Sequence, residues 1–275
     1  MYCGERLTKR QLLTQPEEAS CSEEDCAVSF DHAVSRLGWC VQNFRGYQKK
    51  ILRDAFFEAF ETYETGCAPV IQELNSGVRP ERQTELLERA AEAMLDELSA
   101  GWEKKNDMED EKVVLAIFFV PMVRKLQLPV SEEFVSLLQK KWVERYPKSP
   151  FYLGDYESIS GGFRKKFLGL CFITTAVCQE LGKPDDCAEL TAFRAFRDGY
   201  LAAQPDGEAL IREYYNIAPG IVTCINTCSD RHASYERIRE QYLTPCYEDL
   251  LAGRNADCKT RYVQMVRDLE REYLH

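Results

Sequence analysis

The chain has 275 residues, of which 45% are hydrophobic and 29% charged, the composition of a folded protein with a sizeable core. A formal net charge of −10 argues against nucleic acid as a partner, since phosphate binding needs a concentrated positive surface and the longest basic block is 164-RKK-166. Membrane insertion is also disfavoured: the most apolar run, Val113–Val123, is too short to span a bilayer, contains Pro121 and is flanked by Lys112 and Arg124.

Residues 1–26 are charged at short intervals and lack an apolar centre, so they read as a mobile N-terminal segment without a secretory signal. A soluble, cytoplasmic protein is expected. The 12 cysteines then read as reduced thiols, mostly small core residues, rather than as a disulfide framework. Cys21 and Cys26, in an acidic and serine-containing stretch, are expected in an exposed loop.

Residues 27–147 form an N-terminal helical region. Val34, Leu37, Val41, Phe44, Ile51, Leu52, Ala55, Phe56, Ala59 and Phe60 recur at spacings of three and four, which predicts one long amphipathic helix with Gly38 and Gly46 as points of bending. Pro80 stands where a first helical residue belongs, and 81–102 follow as a strong helix with a Leu86, Leu87, Ala90, Met94, Leu95 and Leu98 stripe. A third helix is expected from Glu109 to Leu126, kinked at Pro121. Ser131 is expected to cap a fourth, with Glu132 and Glu133 in its positive first turn.

The stretch 146-YPKSPFYLGDY-156 reads as a linker into a C-terminal helical domain over 148–275, either separate or packed with the first region as one body. Asp186 with Glu189 has the pattern of a capping box for a helix running to Ala202. Asp206 is placed to cap the next helix, Pro219 to start another, and Thr244-Pro245 to start a further one that Gly253 ends. Residues 256–274 form the last helix. No run alternates as a strand does. The predicted class is all-α: a multi-helix orthogonal or bundle-like array, with long N-terminal helices packed against a C-terminal set of shorter ones.

The chemistry-bearing residues concentrate in the C-terminal domain. In 171-CFITTAVC-178 a helical projection gathers Cys171, Thr174, Thr175 and Cys178 opposite Phe172, Ile173, Ala176, Val177 and Leu181, with no charge before Glu180. An uncharged small-polar face packs against something, either a close helix neighbour or a pocket. In 190-LTAFRAFRDGYL-201 Arg197 projects from the middle of an apolar arc, an expensive position unless the guanidinium is paired. Arg194 stands beside Asp198, four residues on. Tyr214 and Tyr215 precede the predicted break at Pro219, and Arg197 or Asp198 are natural partners for their hydroxyls.

The runs C-F-I-T-T-A at 171–176, F-R-A-F-R-D at 193–198, Tyr214-Tyr215 and Ala218-Pro219 together resemble the bacterial CFI-box domain. The resemblance covers residues 163–245, with Phe193 where the family usually has Leu and Ala218 where it usually has Ser. It implies a domain and a bacterial source, and places Cys171, Arg194, Arg197, Asp198, Tyr214 and Tyr215 at motif positions. Cys178 lies outside the motif, so one thiol is singled out rather than two. The resemblance implies no reaction.

A metal site is the weak alternative: Cys224, Cys228 and His232 recur at intervals of four, but the paired knuckles of zinc modules are absent. No glycine-rich nucleotide motif or hydrolase elbow occurs, and no cofactor is predicted. Three readings follow. The first is a binding or scaffolding protein whose buried Cys171, Thr174, Thr175, Arg194, Arg197, Asp198, Tyr214 and Tyr215 hold a small anionic ligand or a peptide end. The second is a thiol enzyme with Cys171 as nucleophile, and the third a structural module that binds other proteins.

Overall fold

The computed structural model describes residues 23–104, 106–164, 171–228 and 230–275 and is all-α, as the apolar spacing requires. α1 (Glu23–Leu37) already contains Cys26, so the last residues of the expected N-terminal segment are helical, while Cys21 lies outside the described residues. The single helix expected from Val34 to Phe60 is broken. After α1 comes one turn, α2 (Trp39–Gln42), then Gly46 at φ 89°, a 3₁₀ turn over Tyr47–Lys50, and α3 (Phe56–Gly77). Gly46 sits in the left-handed region that only glycine enters freely, so the chain reverses there and α3 packs back on α1.

α4 (Gln83–Ala100) follows a 3₁₀ turn opened by Pro80, and its Leu86, Leu87, Ala90, Met94, Leu95 and Leu98 stripe is buried as expected. α5 (Asp107–Val114) and α6 (Val120–Lys125) are joined by a π-helical turn over Leu115–Phe119. Pro121 lacks an N–H and would clash with the carbonyl of Ile117; the wide turn places that carbonyl in a looser spiral, so the rod continues through the proline. In α7 (Ser131–Arg145), Ser131 is the first helical residue rather than the cap. Its Oγ accepts the Leu128 N–H at 3.1 Å and closes the turn before the helix.

The C-terminal helices are α8 (Tyr156–Arg164), α9 (Phe172–Glu180), α10 (Ala188–Ala195), α11 (Gly207–Thr227), α12 (Arg231–Ile238), α13 (Thr244–Leu251) and α14 (Asn255–Tyr273). π turns extend α10 over Phe196–Leu201 and join α12 to α13 over Arg239–Leu243. α13 starts at Thr244 with Pro245 in its first turn, as expected, although Leu243 rather than Thr244 is the N-cap and the helix runs on from the π turn. Its proline again follows a wide turn, the same solution as at Pro121. Asp186 does not cap α10, whose N-cap is Cys187 with no side-chain bond, and Glu189 pairs with Lys183. Asp206 occupies the N-cap of α11 but gives its carboxylate to Lys259 at 2.5 Å. Gly253, at φ 72°, ends α13.

Pro219 lies inside α11, not at its start. Tertiary packing outweighs the proline here. Ile217, Ala218, Ile221 and Ile225 are buried on one face, and the residue 51–54 segment docks beside the proline. The Asn216 carbonyl accepts the Arg53 N–H at 3.0 Å, and its side-chain oxygen accepts the Asp54 N–H at 3.0 Å. Gly220 makes this approach possible, because a Cβ there would stand 1.9 Å from the Ile51 carbonyl oxygen.

The expected linker is packed too. The Phe151 carbonyl accepts from Gln139 at 2.6 Å, the Ser149 carbonyl accepts the Trp142 indole N–H at 2.7 Å, and Phe151 is 1% exposed. Among the described residues the β structure is one antiparallel bridge, from Phe151 to Cys228. Phe56 of α3 stacks on Phe163 of α8 at 4.2 Å. One connected set of buried side chains thus runs from Phe30 to Leu274. No described helix is long and apolar enough to cross a membrane.

Candidate functional site: the Cys171–Arg197 cluster

Cys171 is the N-cap residue of α9, and its side chain is buried at 4% exposure. Around it the helix does not divide into the two faces of the simple projection. Cys171, Ile173, Thr174, Val177 and Cys178 are buried, whereas Phe172, Thr175 and Ala176 are half-exposed. The inward stripe therefore takes one threonine and both cysteines, because α10, α11 and α12 all pack against this short helix. Thr175 points to the other side.

Arg197 stands on the π turn after α10 and is 7% exposed, so the arginine expected within an apolar arc is indeed buried. Its guanidinium forks onto the carboxylate of its own neighbour: Nε donates to Asp198 Oδ1 at 2.7 Å and Nη2 to Oδ2 at 2.8 Å. Nη1 donates to Cys171 Sγ at 3.5 Å, and Tyr215 is hydrogen-bonded to the same group. The planar fork of arginine suits this many partners as a lysine ammonium would not. The Arg197 bonds hold the Asp198 carboxyl below its ordinary value, and Asp198 raises the arginine in turn.

A second strand of bonds closes the network. The Tyr214 hydroxyl accepts the Ile173 N–H at 3.0 Å, satisfying one of the orphan donors in the first turn of α9. Thr174 Oγ1 lies 3.2 Å from the Tyr262 hydroxyl, which donates to Tyr214 at 3.5 Å. Burial pushes both phenols up, so Tyr214 and Tyr262 remain protonated and act as donors or acceptors rather than as bases. Tyr262 was not singled out from sequence. Its signal is its place in the buried α14 stripe with Cys258, Met265, Val266 and Leu269, where a tyrosine hydroxyl needs a partner.

Arg194 is not part of the cluster and does not pair with Asp198. It donates to the carbonyl and to Oδ1 of Asp185, both at 2.8 Å, and pins the loop between α9 and α10. The metal alternative also comes apart. α11 ends at Thr227, Cys228 is extended and donates its thiol to the Cys224 carbonyl at 3.2 Å, and His232 is exposed beside Glu180. Among the described residues no group of three His, Cys, Asp or Glu side chains is placed to hold a metal ion.

Beside the cluster is a cavity of about 50 Å³, lined by Phe193, Phe196, Leu210 and Val266 together with Cys171 and Arg197. It is apolar and has room for no more than a few waters or one small group. Burial pushes the Cys171 thiol up; Arg197 and Arg194 pull it back, but burial wins. The thiolate is the nucleophilic form, so this cysteine is held in its unreactive state at neutral pH. In a native alkylation time course Cys171 is expected to label only when the protein unfolds. Rapid labelling that titrates near neutral pH would assign it a nucleophile's character instead.

The opposite side of α9 faces a groove of about 610 Å³ between α8, α9, α11 and α12. Phe172, Thr175, Ala176 and Gln179 form one wall, and Gly161 and Gly162 leave the facing wall low. Thr175 is a lining residue, and its hydroxyl, itself occluded, has no hydrogen-bond partner. These features define an all-α protein with an internal polar clamp on one side of a motif helix and an open groove on the other. No family model, curated protein or solved structure matches the chain.

Proposed function

We propose that the chain is a helical binding and scaffolding protein in which the Arg197 cluster fixes α9 and the outward face of α9 receives the partner. The observation that carries this reading is the division of labour within one short helix. Thr174 and Cys178 are locked into the core, while Thr175 lines the groove with an occluded, unpartnered hydroxyl that an occupant reaches once the side chain turns. Orphaned buried hydroxyls are costly, and a ligand that hydrogen-bonds one relieves the cost. Glu157, Glu180 and Asp185 line the groove, with Arg231 the one cation among its described lining residues. The carboxylates are paired with Arg164, Arg231 and Arg194, and the occupant that fits is the basic end of a peptide acting as a second donor to them. The resemblance to the CFI-box domain supports assigning both faces to one module and a bacterial source. The free thiols support a cytoplasmic setting.

An anion held by Arg197 is less well supported. Asp198, Cys171 and Tyr215 already share the guanidinium, so an anion would have to displace Asp198. Thiol catalysis at Cys171 draws support from the 3.5 Å contact with Arg197 and is opposed by the burial of the sulfur.

Thermal melting separates the readings. A short lysine-rich peptide is expected to raise the melting temperature of the wild type and not that of Gly161→Phe, which fills the groove where a Cβ meets nothing within 4 Å. Arg197→Leu is expected to lower the melting temperature while leaving the peptide-induced rise in place. If instead phosphate or acetate stabilises the wild type but not Arg197→Leu, the ligand belongs to Arg197 and the groove reading fails.

A further inference from the structure

Among the described residues three pairs of thiols touch, and they differ in access. Cys40 with Cys67 and Cys246 with Cys258 are side-chain neighbours whose four members are each 0% exposed. The third pair is different. Cys178 Sγ and Cys187 Sγ lie 3.7 Å apart, with Cys178 buried at 5% exposure but Cys187 half-buried. Cys187 is the N-cap of α10 and ends a loop containing Gly182, at φ 67°, and Pro184, so its side chain is not locked within a helix. A disulfide needs sulfurs about 2.05 Å apart, so the pair must close by about 1.7 Å, within reach of a side-chain rotation at the loop end.

We infer that Cys178 and Cys187 are an oxidation site of this chain, forming a reversible disulfide when the protein meets a hydroperoxide. The order of events follows from exposure. The Cys187 sulfur attacks the distal peroxide oxygen; the O–O bond breaks, the alcohol or water leaves, and Cys187 becomes a sulfenic acid. Cys178 then displaces hydroxide from that sulfenic acid, and water leaves as the S–S bond forms. The two thiols lose two electrons in total and the peroxide gains them. Cys178 is the resolving partner: burial pushes its thiol up to about 12, with Lys183 nearby pulling the other way, and the bulk oxidant reaches it less readily. The disulfide would tie the end of α9 to the start of α10 across a span of nine residues that carries Glu180 and Asp185. The chemistry of the pair does not depend on what the groove holds.

The experiment is graded oxidation of the full native chain with hydrogen peroxide, alkylation of the remaining thiols, and non-reducing peptide mapping. The first crosslink to form is expected to join Cys178 to Cys187, to remove two alkylatable thiols per chain, and to revert in dithiothreitol. In Cys178→Ser, Cys187 is expected to accumulate as a dimedone-trappable sulfenic acid with no crosslink. In Cys187→Ser, Cys178 is expected to stay unmodified at the same peroxide dose. A wild-type protein that accumulates the Cys187 sulfenic acid without the crosslink, or that crosslinks another pair first, overturns the assignment.

Discussion

Arg45→Ala is expected to destabilise the protein by about 3 kcal/mol at neutral pH. Glu111 is 0% exposed, and Arg45 holds one oxygen through Nε at 2.6 Å and Nη2 at 2.5 Å. The other oxygen accepts the Trp102 indole N–H at 2.8 Å. Removing the arginine strands a carboxylate in the core with one neutral donor. Burial already pushes Glu111 up, with the Trp102 and Arg45 bonds opposing it, so the loss of Arg45 raises it further. A carboxyl raised in the folded state binds its proton more tightly there than in the unfolded chain. The stability it contributes is therefore fully present below the unfolded value of about 4.3 and is lost as pH rises through the folded value. The deficit of Arg45→Ala should accordingly shrink as the pH is lowered toward that range. Adding Glu111→Gln to Arg45→Ala is expected to recover more than half of the loss at neutral pH. Denaturant melts of the two variants across pH are the measurement, and equal deficits at every pH would show that packing rather than charge is responsible.

Gly220→Ala should be almost as damaging, with a loss of about 3 kcal/mol from a single added methyl. In most helices this substitution is stabilising, because alanine has less backbone freedom to surrender. Here the new Cβ would meet the Ile51 carbonyl oxygen at 1.9 Å, a backbone atom that has no rotamer to escape into. The residue 51–54 segment must lift from α11, weakening the bonds from the Arg53 and Asp54 N–H groups to Asn216. Gly161→Ala is the control, since nothing lies within 4 Å of its Cβ and a gain of about 0.5 kcal/mol is expected from propensity alone. Hydrogen exchange would separate the two cases further: protection of the Arg53 and Asp54 amides should fall in Gly220→Ala and hold in Gly161→Ala.

Both effects lie where one-dimensional patterns are weakest. Glu111 stands among charged residues and reads as a solvated position, since its burial depends on Arg45, 66 residues earlier, and on the Gly46 reversal that brings that arginine back. The conflict was visible in the other direction at Arg197. Its position inside an apolar arc marks it as a cation that is costly to bury unless paired, because periodicity alone sets which side of a helix a residue occupies.

Apart from Tyr215 on Arg197, the choice of partner was not legible. Arg197 turns to Asp198 and Cys171, and Arg194 turns away to Asp185, because the wide turn over Phe196–Leu201 departs from the regular spacing on which a projection rests. Prolines show the same limit. Pro219 was read as a start because its missing N–H breaks the hydrogen-bond ladder, yet packing on both sides carries α11 through it. By itself, then, the sequence determined the all-α class, the buried stripe of α4 and the cost of placing Arg197 in an apolar arc, since these follow from local spacing and the cost of burying charge. Only the tertiary structure decided which side chains pair, that Thr175 leaves the cluster for a groove, and that Cys178 meets Cys187. Those outcomes depend on distances between helices, which local spacing does not encode.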